Sequence, residues 1–133
     1  MICVAAAIIF DKQKLLICQR PKGSHCELLW EFPGGKVEPG ELPQHCVVRE
    51  CKEELDLSIL PKQIFSSVSY RYPDREVSLT FFLACLTDCH LAVREHHAIR
   101  WISRDELKNY SFCPADQQVI SRIEQEWDQI CPS

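Results

Sequence analysis

Apolar residues occur along this chain in short blocks, and their spacing switches between the two-residue period of strands and the three-to-four-residue period of helices. Ile2–Phe10 (ICVAAAIIF) is a near-continuous apolar run of strand length, ended by the polar turn Asp11–Lys14, and reads as a buried strand. Leu15–Arg20 (LLICQR) resumes as its neighbour, and a polar loop follows over 21–29. Leu29–Val37 (LWEFPGGKV) is an aromatic-rich strand broken by Pro33 and two glycines, which lets the backbone approach something closely. The period then becomes helical over Pro43–Leu55, where Val47, Val48, Cys51 and Leu55 fall within about 100 degrees of one another. Pro43 suits a first helical turn. After the short apolar piece Leu57–Leu60 and Pro61, the segments Ile64–Tyr72 and Glu76–Leu86 flank Pro73-Asp74-Arg75 as a hairpin. Two short strands are expected near His90–Val93 and Ile99–Ile102. Ser103 and Glu106 form a capping-box signature for a short helix through Lys108. Behind Pro114, Val119, Ile120, Ile123, Trp127 and Ile130 recur at helical spacing. This order predicts an α+β fold, a mixed sheet sandwiched between helices.

Composition narrows the classes. With 133 residues the chain makes one domain, residues 1–133, large enough for an apolar core, and 46% hydrophobic with 26% charged residues is ordinary globular usage. Fifteen basic against 19 acidic residues leave a net charge of -4, the wrong sign for a duplex-binding protein, which must neutralise phosphates. The apolar first segment has no basic leader and is too short to span a bilayer, so no membrane association is expected. Nine cysteines, an odd number without a CxxC pair, read as reduced thiols of a cytoplasmic protein. The assembly expected is a monomer or a small homo-oligomer.

Candidate chemistry concentrates in Gly35–Leu57. Glu50, Glu53 and Glu54 are related by i, i+3 and i+4 and share one helix face beside the apolar stripe. Like charges at that spacing repel, each i,i+4 pair costing about 0.2–0.5 kcal/mol, so a cluster held near the core edge invites a cation. Carboxylates without neighbouring His or Cys are hard oxygen ligands, suited to Mg2+, with Mn2+ as a substitute, rather than to zinc. Mg2+ shares one or two carboxylates with substrate phosphates, which points to phosphoryl or diphosphate chemistry. The alternative for three glutamates alone is a solvated acidic face.

The same stretch resembles the Nudix box, with Gly35, Glu41, Arg49, Glu50, Glu53, Glu54 and Leu57 all in register. Cys51 stands where that pattern has an aliphatic, a mild change because Cys behaves as a small hydrophobe. Asp56 stands where it has glycine, just past the helix end, where a left-handed conformation is common and costs Asp more. Leu29–Gly35, Tyr72–Arg75, Trp101 and Pro114–Asp116 extend the resemblance to the MutT branch. That resemblance implies the Nudix fold and Mg2+-dependent hydrolysis of nucleoside triphosphates, including oxidised ones, to monophosphate and pyrophosphate in nucleotide-pool sanitation. Other readings are hydrolysis of a different nucleoside diphosphate derivative, or a nucleotide-sensing module that has lost catalysis.

By the same resemblance, Glu53 and Glu54 are metal ligands together with the Gly34 carbonyl, and Glu50 is a further ligand or the base that activates water. Arg49 would orient a carboxylate, Glu41 would steady the loop and helix start, and Glu95 is a candidate acidic group from another loop. Water would attack phosphorus in line on phosphates neutralised by Mg2+, without a covalent intermediate. Arg20, Phe32, Arg75 and Asp116 match positions that bind the base or phosphates, with a plain core aromatic as the other reading of Phe32 and ordinary surface arginines as that of the two Arg. The oxidised-guanine enzyme of this branch has Asn at the position of Asp116. Ionised Asp only accepts hydrogen bonds whereas Asn also donates, so oxidised purine and cytidine-type bases both stay open. An N-cap for the last helix is the structural alternative for Asp116. Cys85, Cys89 and His90 with His96 and His97 miss the usual zinc spacings, and nothing around Cys46 and Cys51 suggests a thiol nucleophile.

Overall fold

A computed structural model describes residues 1–92 and 94–132. Its strands are β1 (Ile2–Asp11), β2 (Lys14–Gln19), β3 (Trp30–Glu31), β4 (Gly34–Lys36), β5 (Leu57–Tyr72), β6 (Arg75–Cys89) and β7 (Ala98–Ile102). Helix α1 spans Pro43–Leu55 and α2 spans Pro114–Ile130, with a 3-10 turn over Arg104–Asn109 before α2. The sheet runs β3-β2-β1-β6-β5, with β4 also pairing β1 and β7 pairing β2. It is mixed, because β1 and β6 are parallel from Ile2 against Val77 to Phe10 against Cys85, while the other pairs are antiparallel.

Strand β1 has both faces covered, which is why its apolar run does not alternate. One face, with Ala6, Ile8 and Phe10, packs under α2 residues Val119, Ile120, Ile123 and Trp127. The opposite face, with Ala5, Ala7 and Ile9, packs under Cys46, Val47, Cys51 and Leu55 of α1. The α+β sandwich expected from the element order is therefore present. The α1 stripe is rotated slightly from expectation: Cys46 is fully buried and Val48 only partly, because the helix leans its first turn onto the β4 backbone, where the Cys46 thiol points at the Gly35 and Lys36 carbonyls.

Several elements differ from the pattern-based reading for identifiable reasons. The broken aromatic strand is two strands, β3 on β2 and β4 on β1. Strand β5 continues through Pro61 because it lies at the sheet edge, where irregularities between Ser58 and Ser66 absorb the missing donor. His90–Ala92 form no strand, and Val93 lies outside the described residues. The backbone there is drawn instead to the end of α1, with the N–H groups of His90 and Ala92 donating to the Asp56 and Leu55 carbonyls. The helix expected after Ser103 is a 3-10 turn, and Glu106 accepts from both the N–H and the hydroxyl of Ser103.

The paired glycines explain how β4 reaches β1. A Cβ on Gly34 would lie 2.0 Å from the Ala5 carbonyl oxygen and 2.7 Å from the Ala6 Cα. That neighbour is backbone and cannot swing away. Gly34→Ala is expected to lower stability by about 1–3 kcal/mol, read as a reduced urea midpoint with an unchanged slope; a midpoint equal to wild type would refute the packing argument.

Candidate active site

A cavity of about 500 Å3 opens where β1, β3, β4, the C-terminal half of α1 and the start of α2 converge. Of the residues singled out from the sequence, Gly34, Gly35, Glu50, Glu54, Glu95, Arg20, Phe32, Arg75 and Asp116 line it. Glu41, Arg49 and Glu53 do not. Helix periodicity put three carboxylates on one face, but the helix sits so that Glu50 and Glu54 turn inward, each side chain 14% exposed, while Glu53 stays 61% exposed at the rim.

The carboxylate end is shaped by glycine backbone. A Cβ on Gly35 would meet the Glu50 carboxyl carbon at 2.4 Å, so only a bare backbone leaves that carboxylate its place. Burial first, and then the neighbouring Glu50, Glu95 and Glu31, push the Glu54 carboxyl up to about 9. Such a cluster, made of oxygen donors and strained by like charge, has the chemistry to hold a hard divalent cation. Among the described residues no three His, Cys, Asp or Glu side chains are gathered tightly enough to chelate an ion by themselves. An ion here would need further oxygens from backbone, water or a phosphate, which is how Mg2+ is usually held.

Arg49 ties the outer side of the same helix to the preceding loop. Its guanidinium donates to both Glu41 oxygens at 2.8 and 3.0 Å, to Glu50 at 2.9 Å, to Glu53 at 3.4 Å and to the Lys36 carbonyl at 3.3 Å. The fork geometry of a bidentate Arg–carboxylate pair fixes orientation as well as distance.

At the other end of the cavity, Phe32 is buried, stacked on Phe112 and edge-on to Phe81, so it is both core and cavity wall. Asp116 is not the N-cap of α2, a place taken by Cys113. It is 5% exposed and accepts from the Phe32 N–H at 3.1 Å. Burial, then the charge of Glu31, pushes its carboxyl upward, and the Phe32 N–H opposes that shift. Arg20 donates to the His25 carbonyl at 3.0 Å and lies 3.5 Å from Glu31. Arg75 pairs with its neighbour Asp74 at 3.0 Å.

The sequence reading missed Glu31, His96 and Tyr72. The Tyr72 hydroxyl accepts from the Ala115 N–H at 3.2 Å, which anchors the start of α2 at the cavity. Glu31 carried a signal, a charged residue in an otherwise apolar LWEFP stretch, and His96 lay beside Glu95. Their pairing had none.

This architecture and its box of glycines and glutamates match a known family. The profile of the NUDIX domain fits residues 2–123. The chain belongs to the NUDIX domain family. It is similar to the CTP pyrophosphohydrolase of Escherichia coli (strain K12), 39% identical over 122 residues that cover 90% of this chain and 89% of that protein. It is similar also to the 8-oxo-dGTP diphosphatase of the same organism, 32% identical over 121 residues, 90% of this chain and 94% of that one. Among solved structures, the solution structure of the E. coli ORF135 protein superposes with a TM-score of 0.79 at 36% identity, covering 95% of this chain and 90% of that one.

Within the NUDIX pattern, Asp56 takes the left-handed conformation that the glycine position calls for, with φ 54° and ψ 40°. Its cost is offset locally: Asp56 lies 2.7 Å from the Lys52 ammonium and 3.5 Å from the Arg94 guanidinium. Arg94 also donates to the Glu53 carbonyl at 3.1 Å, so it docks the 94–97 loop on the end of α1. The nine cysteines of this NUDIX domain are free thiols, and Cys85 and Cys89 are exposed. No helix among the described residues is long and apolar enough to cross a membrane.

The Arg49 contacts predict a pH dependence. Hydrogen bonds from Arg49 first, and from the Glu38 N–H, hold the Glu41 carboxyl at about 2, below its ordinary 4.5. A carboxyl depressed in the folded state contributes stability that is complete above the unfolded value and lost as pH falls through the folded one. Glu41→Gln is therefore expected to flatten the loss of stability between pH 4.5 and 2, measured by urea unfolding across that range. Identical slopes for variant and wild type would remove Glu41 from the account.

Proposed function

We propose that the protein hydrolyses nucleoside triphosphates to the monophosphate and pyrophosphate with Mg2+, or Mn2+ in its place, as a nucleotide-pool sanitation enzyme. The observation that carries this reading is one continuous cavity in a NUDIX domain, with carboxylates at one end and an aromatic wall beside a hydrogen-bonding Asp116 at the other. A nucleotide laid along it has its phosphates at Glu50, Glu54 and Glu95 and its base at Phe32 and Asp116.

A divalent cation bound among those carboxylates and the Gly34 carbonyl supplies charge neutralisation and a more acidic water. The chain's own groups do the positioning. Glu50, held by Arg49 and seated on Gly35, points into the cavity as a ligand or as the base for water. Glu53, at the rim, is within reach of Arg49 and is placed to join only from the solvent side. Arg20 and Arg75 line the cavity as cations for phosphate or base.

Two base classes are consistent with the relatives, one named for CTP and one for 8-oxo-dGTP. Asp116 offers carboxyl oxygens at the base end where an amide would offer an acceptor and a donor together, so the two base classes are distinguished by what this position presents to them. The reading is tested by incubating the protein with ordinary and oxidised nucleoside triphosphates with and without Mg2+ and measuring pyrophosphate. Product is expected only with the metal, and Glu54→Gln is expected to lower kcat by on the order of 100-fold or more, since it removes several kcal/mol of charge stabilisation. Metal-independent turnover, or a fully active Glu54→Gln, would overturn the proposal. Asp116→Asn is expected to shift the kcat/KM ratio between cytidine and oxidised guanine triphosphates by about 10-fold; an unchanged ratio would show that the base is read elsewhere.

A further inference from the structure

The loop between β6 and β7 carries a histidine that none of the roles above uses. The His96 side chain is 3% exposed, among the most buried polar side chains of the cavity wall. Its Nε2 lies 3.3 Å from Glu31 Oε2 and 3.5 Å from Glu54 Oε2. Its other ring nitrogen, Nδ1, is buried and has no hydrogen-bond partner among the described residues. The polar contacts that orient the ring are those of Nε2.

The backbone around it is fixed from both sides. The His97 N–H donates to the Gln19 carbonyl at 2.9 Å on β2, and Arg94 donates to the Glu53 carbonyl at 3.1 Å on α1. Glu31 in turn faces Arg20 at 3.5 Å. Arg20, Glu31, His96 and Glu54 therefore form a line of polar contacts from the base end of the cavity to the carboxylate end, and His96 is the only link in it that touches both carboxylates.

We infer that His96 is a positioning residue that donates its Nε2–H to Glu31 and holds that nitrogen 3.5 Å from the Glu54 carboxylate, fixing Glu54 for the cation by charge and contact and joining the two ends of the substrate cavity. Glu31 is a carboxylate that accepts, so the proton belongs on Nε2, and Glu54 itself lines the cavity beside Glu50. Groups that orient a metal-binding carboxylate commonly contribute 10- to 100-fold to affinity or activity. The inference rests on the hydrolase reading of the carboxylate site.

Two conservative variants separate positioning from packing. Gln places its amide nitrogen close to the position of Nε2, whereas Asn places it close to Nδ1, which has no partner among the described residues. The readouts are Mn2+ binding to the intact protein without nucleotide, by electron paramagnetic resonance, and kcat and KM for the best triphosphate. His96→Asn is expected to weaken Mn2+ binding and lower kcat by about 10-fold or more, and His96→Gln to stay within about threefold of wild type. Equal behaviour of the two variants, whether both intact or both impaired, overturns the assignment. Wild-type protein that binds no Mn2+ and releases no pyrophosphate overturns the hydrolase reading along with it, whereas active wild type with unaffected variants overturns the assignment alone.

Discussion

Glu50 and Glu54 sit half-buried one turn apart against a backbone stripped of side chains, and much of the architecture answers to that placement. A carboxylate at the core edge loses hydration and gains a like-charged neighbour, and both effects push Glu54 up to about 9. The helix that carries the pair is held down by its other face, where Cys46, Val47, Cys51 and Leu55 are fully buried against Ala5, Ala7 and Ile9. The small residues are part of the same arrangement. Alanines in β1 and glycines in β4 let strand and helix come close enough that the Glu50 carboxyl rests on Gly35.

What keeps so crowded a set of charges ordered is a division between an inner and an outer side. On the outer side, Arg49 gathers Glu41, Glu50 and Glu53 and fastens the loop before α1. On the inner side, His96 stands between Glu54 and Glu31, and Arg20 faces Glu31. Gly35–Leu57 holds six acidic and three basic residues, so a phosphate group arriving alone meets a repulsive field. The acidity of the chain therefore favours single nucleotides brought with a divalent cation over a duplex.

The departure at Asp56 shows how a local conflict is accommodated. A left-handed Asp costs backbone energy relative to Gly, and here its carboxylate lies against Lys52 and Arg94. Because Arg94 precedes Glu95 and His96, the residue that departs from the pattern also helps dock the loop that completes the cavity.

Much was legible in the residues themselves. Period and punctuation located β1, β2, α1, α2 and the β5–β6 hairpin, because each of these is dictated by contacts within a few residues or by one buried face. The box from Gly35 to Leu57 pointed to oxygen-ligand chemistry, because its glycines and glutamates lie on adjoining turns of chain. Other features depended on distance. Asp116 meets the Phe32 N–H across 84 residues, and His96 meets Glu31 across 65; no periodicity encodes such pairs. Pro61 read as a break, yet β5 runs through it since an edge strand has no partner for the missing N–H. The sequence by itself determined which residue types and which helix face would carry charge. Only the tertiary structure decided that Glu53 would stay outside while Glu54 went in, and that Asp116 would be buried against the Phe32 N–H, because both depend on how far α1, α2 and the 94–97 loop close over β1 to exclude water.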